Sequence, residues 1–161
     1  MATVFVNMGS NLGNRKLNLS RGMRAIGEAF GNFELSHVVE SAPWGFDSTH
    51  SFLNVGMAFE TELSPREVLE TLQKIEKSIC KAPHRDKHGG YVDRIIDIDI
   101  VAIDDMLIDE TGLKVPHPEL TRRRFFLEPM QELGGLWRHP ATGLTPGEML
   151  ENLCDEASSD I

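Results

Sequence analysis

Apolar and polar positions along the chain repeat with two periods, and segments of the two kinds alternate in sequence. Stretches rich in β-branched and aromatic residues, bounded by turn-forming residues, predict strands. The clearest is Phe52–Thr61, where every second residue from Val55 to Phe59 is large and apolar and the residues between them are small or polar. The predicted strands cover residues 3–8, 33–40, 52–61 and 94–103.

Two other stretches carry the apolar stripe of a helix, with large apolar residues three or four positions apart. The first runs from Leu19 to Phe30. The second begins at Ser64, where the sequence S-P-R-E has the form of a capping box, and its buried stripe would consist of Val68, Leu72, Ile75 and Ile79. A similar sequence, T-P-G-E from Thr145, predicts a short C-terminal helix.

The first four strands and two helices follow in the order β-α-β-β-α-β. That order is typical of an α+β, ferredoxin-like fold, in which the strands pair antiparallel and both helices pack on one face of the sheet. We predict a single domain over residues 1–161, with a small, polar tail at 155–161 that frays. Topology alone does not specify chemistry, because this arrangement supports many functions.

Composition argues against several classes of function. With 40% hydrophobic and 25% charged residues and no long apolar stretch, the 161 residues are typical of a globular protein that does not cross a membrane. The net charge of -9 argues against broad binding to nucleic acids or anionic membranes, which needs a basic surface. Two cysteines and no recognisable signal peptide predict a reducing, cytoplasmic environment. A monomer is the default expectation, since no apolar association surface is evident.

Basic residues are nonetheless concentrated in two islands, at residues 81–94 and 122–124. Such islands could hold a polyphosphate, or they could be solvated runs of charge. Most of the first island lies in a segment, 81–93, that also contains the pair Gly89 and Gly90. A loop this long within a compact domain more often has a function than not, so we predict a mobile catalytic lid here. The alternative is a solvent-exposed loop without a catalytic role.

The main chemical signal is Asp97-Ile98-Asp99 in the fourth predicted strand. Alternation places Asp97 and Asp99 on one face, about 7 Å apart at Cα, where their oxygens could converge on one or two hard cations bridged by phosphate. A strand with one solvated face would show the same alternation, so that alternative stays open on the motif alone. Arg94 adds a fixed donor of the kind that phosphoryl transfer needs, or a salt bridge at the strand end.

Two further segments are polar but less specific. The sequence V-P-H-P places His117 in a rigid turn, with Arg123 following it. The sequence M-G-S-N-L-G at residues 8–13 forms a polar turn after the first strand, without the Lys-Ser/Thr ending of a Walker A sequence. From these residues alone, a magnesium-dependent phosphoryl or nucleotidyl transferase and a non-catalytic ligand-binding module both stay open.

Short signatures follow one another from residue 4 to about residue 130, and their order and spacing are together specific although each is weak alone. They are G-S-N-L-G, A-P-W-G, F-L-N, Q-K-I-E, R-x-x-D-I-D-I, V-P-H-P and R-x-F-F-L-x-P. In this respect the chain resembles the 6-hydroxymethyl-7,8-dihydropterin pyrophosphokinase family. The resemblance implies the same ferredoxin-like fold. It also implies transfer of a diphosphate from Mg-ATP to a reduced hydroxymethylpterin, a step in making folate.

The resemblance also implies roles for individual residues. Asp97 and Asp99 would bind two Mg²⁺ ions that bridge the phosphates of ATP. Contacts to the nucleotide would come from Gln73, Glu76, Arg94, Ile100, His117 and Arg123.

On the pterin side, the ring would stack between Phe52 and Phe125, although core packing is the usual fate of a phenylalanine. Polar partners for the pterin edge would be Asn54 and the backbone around Ala42, Pro43 and Trp44. The substrates are therefore expected to be two small molecules.

The chain departs from the family pattern after the second helix, where the usual G-R-x-R is absent. Lys81 and Arg85 are its nearest equivalents, and with Arg94 they are the predicted catalytic cations. The loop is about three residues longer than the family form. Tyr91 stands where the family often has Trp and Asp93 where it often has Pro, so the alignment within 81–93 stays open.

Overall fold

The computed structural model describes residues 1–41, 51–80 and 95–159, with side chains described as far as residue 153. Strands and helices follow one another much as the sequence periods predict, with three short strands and one helix in addition. In chain order they are β1 Ala2–Ser10, α1 Arg15–Phe30, β2 Phe33–Leu35, β3 Val39–Ser41, β4 Phe52–Thr61, α2 Pro65–Ile79, β5 Asp97–Ile103, β6 Ile108–Glu110, β7 Leu113–Val115, a 3₁₀ turn Leu120–Arg122, α3 Arg124–Gly134 and α4 Pro146–Ser159.

The main sheet is antiparallel and has five strands in the order β2-β4-β1-β5, with β3 also paired to β4. Pairing of β1 with β4 is continuous from Ala2 opposite Thr61 to Ser10 opposite Leu53. The other side of β1 pairs with β5, with one irregularity after Phe5. This order confirms the predicted ferredoxin-like arrangement, and β6 and β7 form a separate hairpin.

One face of the sheet packs against α1 and α2, and we call it the α1/α2 face. Alternate strand residues interlock there with the apolar stripes of both helices, as the periods predict. Full burial of each such side chain contributes about 1.5–3 kcal/mol relative to leaving it exposed. This core contains Val4, Val6, Met8, Val55, Met57, Phe59, Ile98 and Ile100 from the strands and Leu19, Ile26, Val68, Leu72 and Ile75 from the helices.

The opposite face, here called the α3 face, packs against α3 and α4. Helix α3 was not predicted, and it contains Pro129, a residue that normally disfavours a helix interior. Aromatic and aliphatic side chains fill the part of this face near the start of β1. The core here consists of Phe5, Ala58, Val101, Ala102, Leu120, Phe126, Leu127, Met130 and Met149.

Local sequence determines where α1, α2 and α4 begin. At α2, Ser64 Oγ accepts from the Glu67 N–H at 3.2 Å and the Glu67 carboxylate accepts from the Ser64 N–H at 3.0 Å, which confirms the predicted capping box. Thr145 and Glu148 make the same reciprocal pair at α4, at 3.2 and 3.0 Å. The cap of α1 is Asn14, whose side chain accepts a hydrogen bond from the helix backbone.

The prediction of one strand over 33–40 was wrong, because that segment forms two separate strands, β2 and β3. Between them, Ser36 exchanges hydrogen bonds with Gly56, its N–H donating at 3.0 Å and its Oγ accepting at 2.8 Å. The His37 N–H instead donates to the Glu132 carboxylate at 2.9 Å. These bonds replace the regular ladder and connect the sheet edge to α3.

The last strand of the main sheet begins later than predicted, at Asp97, and Arg94 lies outside the described residues.

Within the described ranges, no helix has both the length and the apolar character that crossing a bilayer would require.

Candidate functional site

The polar end of the α3 face lies where β1 ends between β4 and β5. In the pairing register, Gly9 lies between Asn54 and Asp97, and Asn7 lies opposite Asp99. Residues opposite each other in an antiparallel pair share a face, so these five positions all face α3. A polar surface therefore replaces the apolar core at this end of the sheet.

Asp97 and Asp99 are both half-buried, whereas Ile98 between them is buried in the core of the α1/α2 face. The predicted alternation is confirmed. The next residue on the aspartate face, Val101, is buried in the core beneath α3, so the two carboxylates mark the boundary of the apolar packing. Two carboxylates held on one rigid strand offer the oxygen ligands that hard cations prefer.

Asn54 is held in one orientation beside this pair. Its amide donates to Ser41 Oγ at 2.7 Å and to the Val39 carbonyl at 3.3 Å, both on β3. Gly9 leaves the space that Asn54 occupies, since a Cβ at position 9 would lie 2.9 Å from Asn54 Oδ1 and 3.3 Å from Phe52 Cδ1. Glycine is therefore needed at this position because two predicted pterin-contacting side chains approach its backbone closely.

Phe52 and Phe125 reach the same face from different elements. Phe52 begins β4 and shares the face of Asn54, while Phe125 lies in the first turn of α3. The Phe125 carbonyl accepts from Asn7 Nδ2 at 2.8 Å, and the Phe125 ring lies 4.7 Å from that of Phe126. Both residues are half-buried, so the fold brings the two predicted stacking residues to one side of the sheet with part of each exposed.

His117 is fixed by its backbone and its ring. Its N–H donates to the Val101 carbonyl at 2.8 Å, and Nδ1 accepts from the Glu119 N–H at 3.0 Å. Burial lowers the pKa of His117, and the nearby carboxylates of Glu119 and Asp97 oppose that shift. The imidazole is therefore neutral near pH 7. Because Nδ1 accepts a hydrogen bond, we assign the single proton to Nε2.

Arg123 immediately precedes α3, and its side chain is only 14% exposed. Its Nη2 lies 3.4 Å from Glu119 Oε2, while the other oxygen of that carboxylate accepts from Arg122 Nη2 at 2.8 Å. Glu119 Oε2 is buried and makes no hydrogen bond to any described residue. A largely buried guanidinium is thus held by a carboxylate near His117.

The predicted nucleotide residues on α2 and β5 lie at the outer edge of β5. Glu76 accepts from the Ile98 N–H at 3.0 Å, and Gln73, one turn earlier on α2, is exposed. The Ile100 side chain is 7% exposed and packs in the α1/α2 core, so only its main chain could contact a nucleotide. Backbone groups alternate along a strand, which directs the Ile100 N–H and C=O to the same edge as the Ile98 N–H.

The remaining predicted site residues lie outside the described residues, as does the predicted lid at 81–93. The structure does describe the residues that flank these gaps in the chain. Ser41 pairs with Phe52, and residue 95 leads into β5. The predictions that stay untested in this way concern Lys81, Arg85, Arg94, Ala42, Pro43 and Trp44.

Sequence reasoning missed two residues that the fold places here. Arg15 donates to the Ser51 carbonyl and hydroxyl, at 3.0 Å each, and lies 3.7 Å from the Glu40 carboxylate, so it links the two flanks of residues 42–50. A single arginine at the start of a helix lies outside the apolar repeat, so the pattern along the chain does not indicate its contacts. Asn7 did carry a signal, because it is a polar residue within an apolar stretch, and the structure shows that it is 3% exposed.

Comparison with known proteins agrees with the resemblance seen in the sequence. A family model described as 7,8-dihydro-6-hydroxymethylpterin-pyrophosphokinase matches residues 5–135. The chain is 36% identical over 142 residues to the 2-amino-4-hydroxy-6-hydroxymethyldihydropteridine pyrophosphokinase of Porphyromonas gingivalis, across 87% of this chain and 95% of that protein. With the protein of the same name from Aquifex aeolicus it shares 35% identity over 159 residues, or 96% and 97% of the two chains.

Among solved structures, an HPPK-DHPS chain in complex with substrates matches with a TM-score of 0.78 and 12% identity over 98% of this chain. At that identity the likeness shows the fold alone, and this chain spans 44% of the length of that larger one. The family match and the two curated relatives each cover most of the chain. The chain therefore belongs to the 7,8-dihydro-6-hydroxymethylpterin-pyrophosphokinase family.

Proposed function

We propose that the polar end of the α3 face is the active site at which this enzyme transfers a diphosphate from Mg-ATP to 6-hydroxymethyl-7,8-dihydropterin. Family membership establishes an ATP-dependent pyrophosphokinase of folate biosynthesis. The observation that carries the location is the pair Asp97 and Asp99 beside Asn54, on the face that also receives Phe125. The two substrates together require carboxylates that hold a cation, polar groups that meet the pterin edge and aromatic rings that stack on the pterin.

Asp97 and Asp99 are the proposed holders of two Mg²⁺ ions. The donor set fits, because Mg²⁺ is usually bound through one or two carboxylates together with substrate phosphates. When bound, the ions would offset the charge of the phosphate oxygens and orient the triphosphate. The two aspartates stand on a paired strand, which fixes the backbone positions from which their carboxylates extend.

The nucleotide is proposed to lie along the outer edge of β5. The Ile100 main chain would meet the base, with Gln73 and Glu76 nearby on α2. Phosphate oxygens would accept hydrogen bonds from His117 Nε2–H and from the guanidinium of Arg123. The neutral state of His117 supports a donor role, since its Nδ1 already accepts from the backbone.

The pterin is proposed to stack between Phe52 and Phe125, with Asn54 and the backbone at 42–44 meeting its polar edge. Support comes from the shared face of the two phenylalanines and from the fixed amide of Asn54. A flat heteroaromatic ring between two phenyl rings gains both buried area and favourable stacking geometry.

The proposed reaction is an in-line displacement at the β-phosphorus of ATP. A bond forms between that phosphorus and the hydroxymethyl oxygen, the bond to the bridging oxygen breaks, and AMP leaves with that oxygen while the hydroxyl proton passes to solvent. Arg94, Arg85 and Lys81 are proposed to offset the charge that moves between these oxygens. Positioning and electrostatics can supply most of the acceleration without a dedicated base.

We further propose a single-domain, monomeric enzyme that works in the cytoplasm. Light scattering coupled to size-exclusion chromatography tests the monomer, since a dimer would double the 18.0 kDa mass of the chain.

Phosphorus NMR of the purified protein with MgCl₂, ATP and 6-hydroxymethyl-7,8-dihydropterin tests the proposed reaction. We expect AMP and a pterin diphosphate to appear together, and neither to form when Mg²⁺ or the pterin is omitted. Formation of ADP or pyrophosphate, or no product at all, would refute the proposal.

A further inference from the structure

We propose that Asn7 is a positioning residue for the pterin, because its side chain replaces a hydrogen-bond donor that Pro129 removes from α3. This inference rests on the proposed function, since it takes Phe125 as a stacking residue. It adds a residue on the central strand whose part in the reaction is to hold the start of α3 in place.

The need for such a donor follows from the sequence of α3. In an α-helix, the carbonyl of one residue accepts from the N–H four residues later. The residue four positions after Phe125 is Pro129, which lies inside the helix and has no N–H. The Phe125 carbonyl therefore lacks its regular partner in the helix, and a part-buried carbonyl without a partner carries a desolvation cost.

Asn7 supplies the missing donor. Its Nδ2 lies 2.8 Å from the Phe125 oxygen, a contact between residues 118 positions apart in sequence. Asn7 is 3% exposed and the bond is part-buried, so water competes for the acceptor less than it would at the surface. An apolar residue would be the ordinary occupant of such a position, and the polar side chain is explained by this one acceptor.

The bond lies next to a proposed metal ligand. In the register, Asn7 stands between Gly56 on β4 and Asp99 on β5. A Cβ at Gly56 would lie 2.6 Å from Pro129 Cβ, so α3 contacts the sheet closely next to Asn7. The hydrogen bond thus connects the helix turn that carries Phe125 to the strand position beside a proposed metal ligand.

Loss of the bond should weaken pterin binding more than ATP binding. Without Asn7, the first turn of α3 keeps its apolar contacts but loses the polar contact that sets its distance from β1. The Phe125 ring would then stack less well on the pterin. The Asp97 and Asp99 positions are determined by the backbone pairing of β5, which does not involve the Asn7 side chain.

The test is steady-state kinetics on the full chain with Asn7→Ala, Pro129→Ala and the double variant. We expect Asn7→Ala to raise the KM for the pterin about tenfold, the effect of one hydrogen bond of about 1.4 kcal/mol, and to leave the KM for ATP within about twofold. Pro129→Ala restores a backbone N–H at position 129, which can donate to the Phe125 carbonyl. In that background, Asn7→Ala should change the pterin KM by less than about threefold.

Trp137→Phe is the matched control. Trp137 also donates from its side chain to a main-chain carbonyl, that of Asp104 at 2.7 Å, but this residue lies in the turn after β5, at the opposite end of that strand from Asp97. Trp137→Phe should lower the melting temperature without changing the pterin KM.

The inference is wrong if Asn7→Ala leaves the pterin KM unchanged or raises both KM values equally. It is also wrong if Asn7→Ala changes the pterin KM equally in the wild type and in Pro129→Ala. Wild-type protein that forms no AMP would instead refute the proposed function itself.

Discussion

The α1/α2 face and the α3 face of the sheet are made by alternate residues of the same strands, yet they differ at the end of β1. On the α1/α2 face, Met8, Val55 and Ile98 continue the apolar core to that end. On the α3 face the apolar core stops at Val101, and polar residues such as Asn7 take its place. The difference shows that one strand can support stability on one side and chemistry on the other, so substitutions on the two sides should have separable effects.

The largest effect should come from the carboxylates of the α3 face. We expect Asp97→Ala and Asp99→Ala each to reduce kcat by roughly 10³-fold, because a fixed cation contributes several kcal/mol to the transition state. Both variants should still fold and unfold cooperatively on heating, since the pairing that holds β5 in the sheet is made by its backbone. The exposed residue Asp105, just after β5, supplies the control Asp105→Ala. Near-normal AMP formation by both site variants would exclude them as metal ligands.

The opposite face should give the converse result. Ile26 on α1 is fully buried in the α1/α2 core, so Ile26→Ala should lower the free energy of unfolding by about 2–5 kcal/mol. Urea denaturation measures that loss, and kinetics at low temperature should show an unchanged KM for both substrates in the folded fraction. A changed pterin KM with unaltered stability would contradict the separation of the two faces.

A substitution at the end of β1 sharpens the comparison. Gly9→Ala would push a methyl group against Asn54 and Phe52, which are 2.9 and 3.3 Å from that position. We expect the pterin KM to rise about tenfold, roughly the effect of one lost hydrogen bond, with little change for ATP. Gly147→Ala is the control, because its nearest neighbour is the end of the exposed Gln131 side chain. An unchanged pterin KM for Gly9→Ala would show that the site has room to adjust.

The smallest expected effect is a pH dependence at the border of the site. The pKa of His117 is below its ordinary value of 6.5 because the ring is buried. As the pH falls below 6.5, the unfolded chain binds this proton before the folded chain does, so the free energy of unfolding falls until the folded pKa is passed.

His117→Gln removes that contribution and should flatten the pH dependence of stability, by at most about 1.4 kcal/mol per pH unit. Burial also lowers the pKa of His139, but that residue is present in both proteins and its effect cancels. Urea denaturation at several pH values below 6.5 measures the two slopes. Equal slopes would mean that His117 takes up its proton in the folded and unfolded states alike.

Much of the fold could be predicted because the deciding interactions are local in sequence. The capping boxes at Ser64 and Thr145 depend on residues three positions apart, and the structure confirms both. Asp97 and Asp99 lie on one face of β5 and Ile98 on the other because side chains alternate along any strand, whatever the strand pairs with. The family signatures add the activity.

Other features could not be predicted because their partners are distant in sequence. The break between β2 and β3 depends on Ser36 bonding to Gly56 and on the contact of His37 with Glu132. Helix α3 forms despite Pro129, because burial on the sheet and a donor from β1 offset the lost backbone bond. The helix propensity of a short segment reflects neither the burial of α3 on the sheet nor the hydrogen-bond donor from β1.

The sequence by itself therefore determined the long strands β1, β4 and β5, the capped starts of α2 and α4, the face that Asp97 and Asp99 share, and the resemblance to the family. Only the tertiary structure decided that Asn54 and Phe125 share a face with the aspartates and that Asn7 completes the first turn of α3. The physical reason is that periodicity and capping are set within a few residues of chain. The site instead depends on strand register and on hydrogen bonds between residues as far as 118 positions apart, which exist only once the sheet has formed.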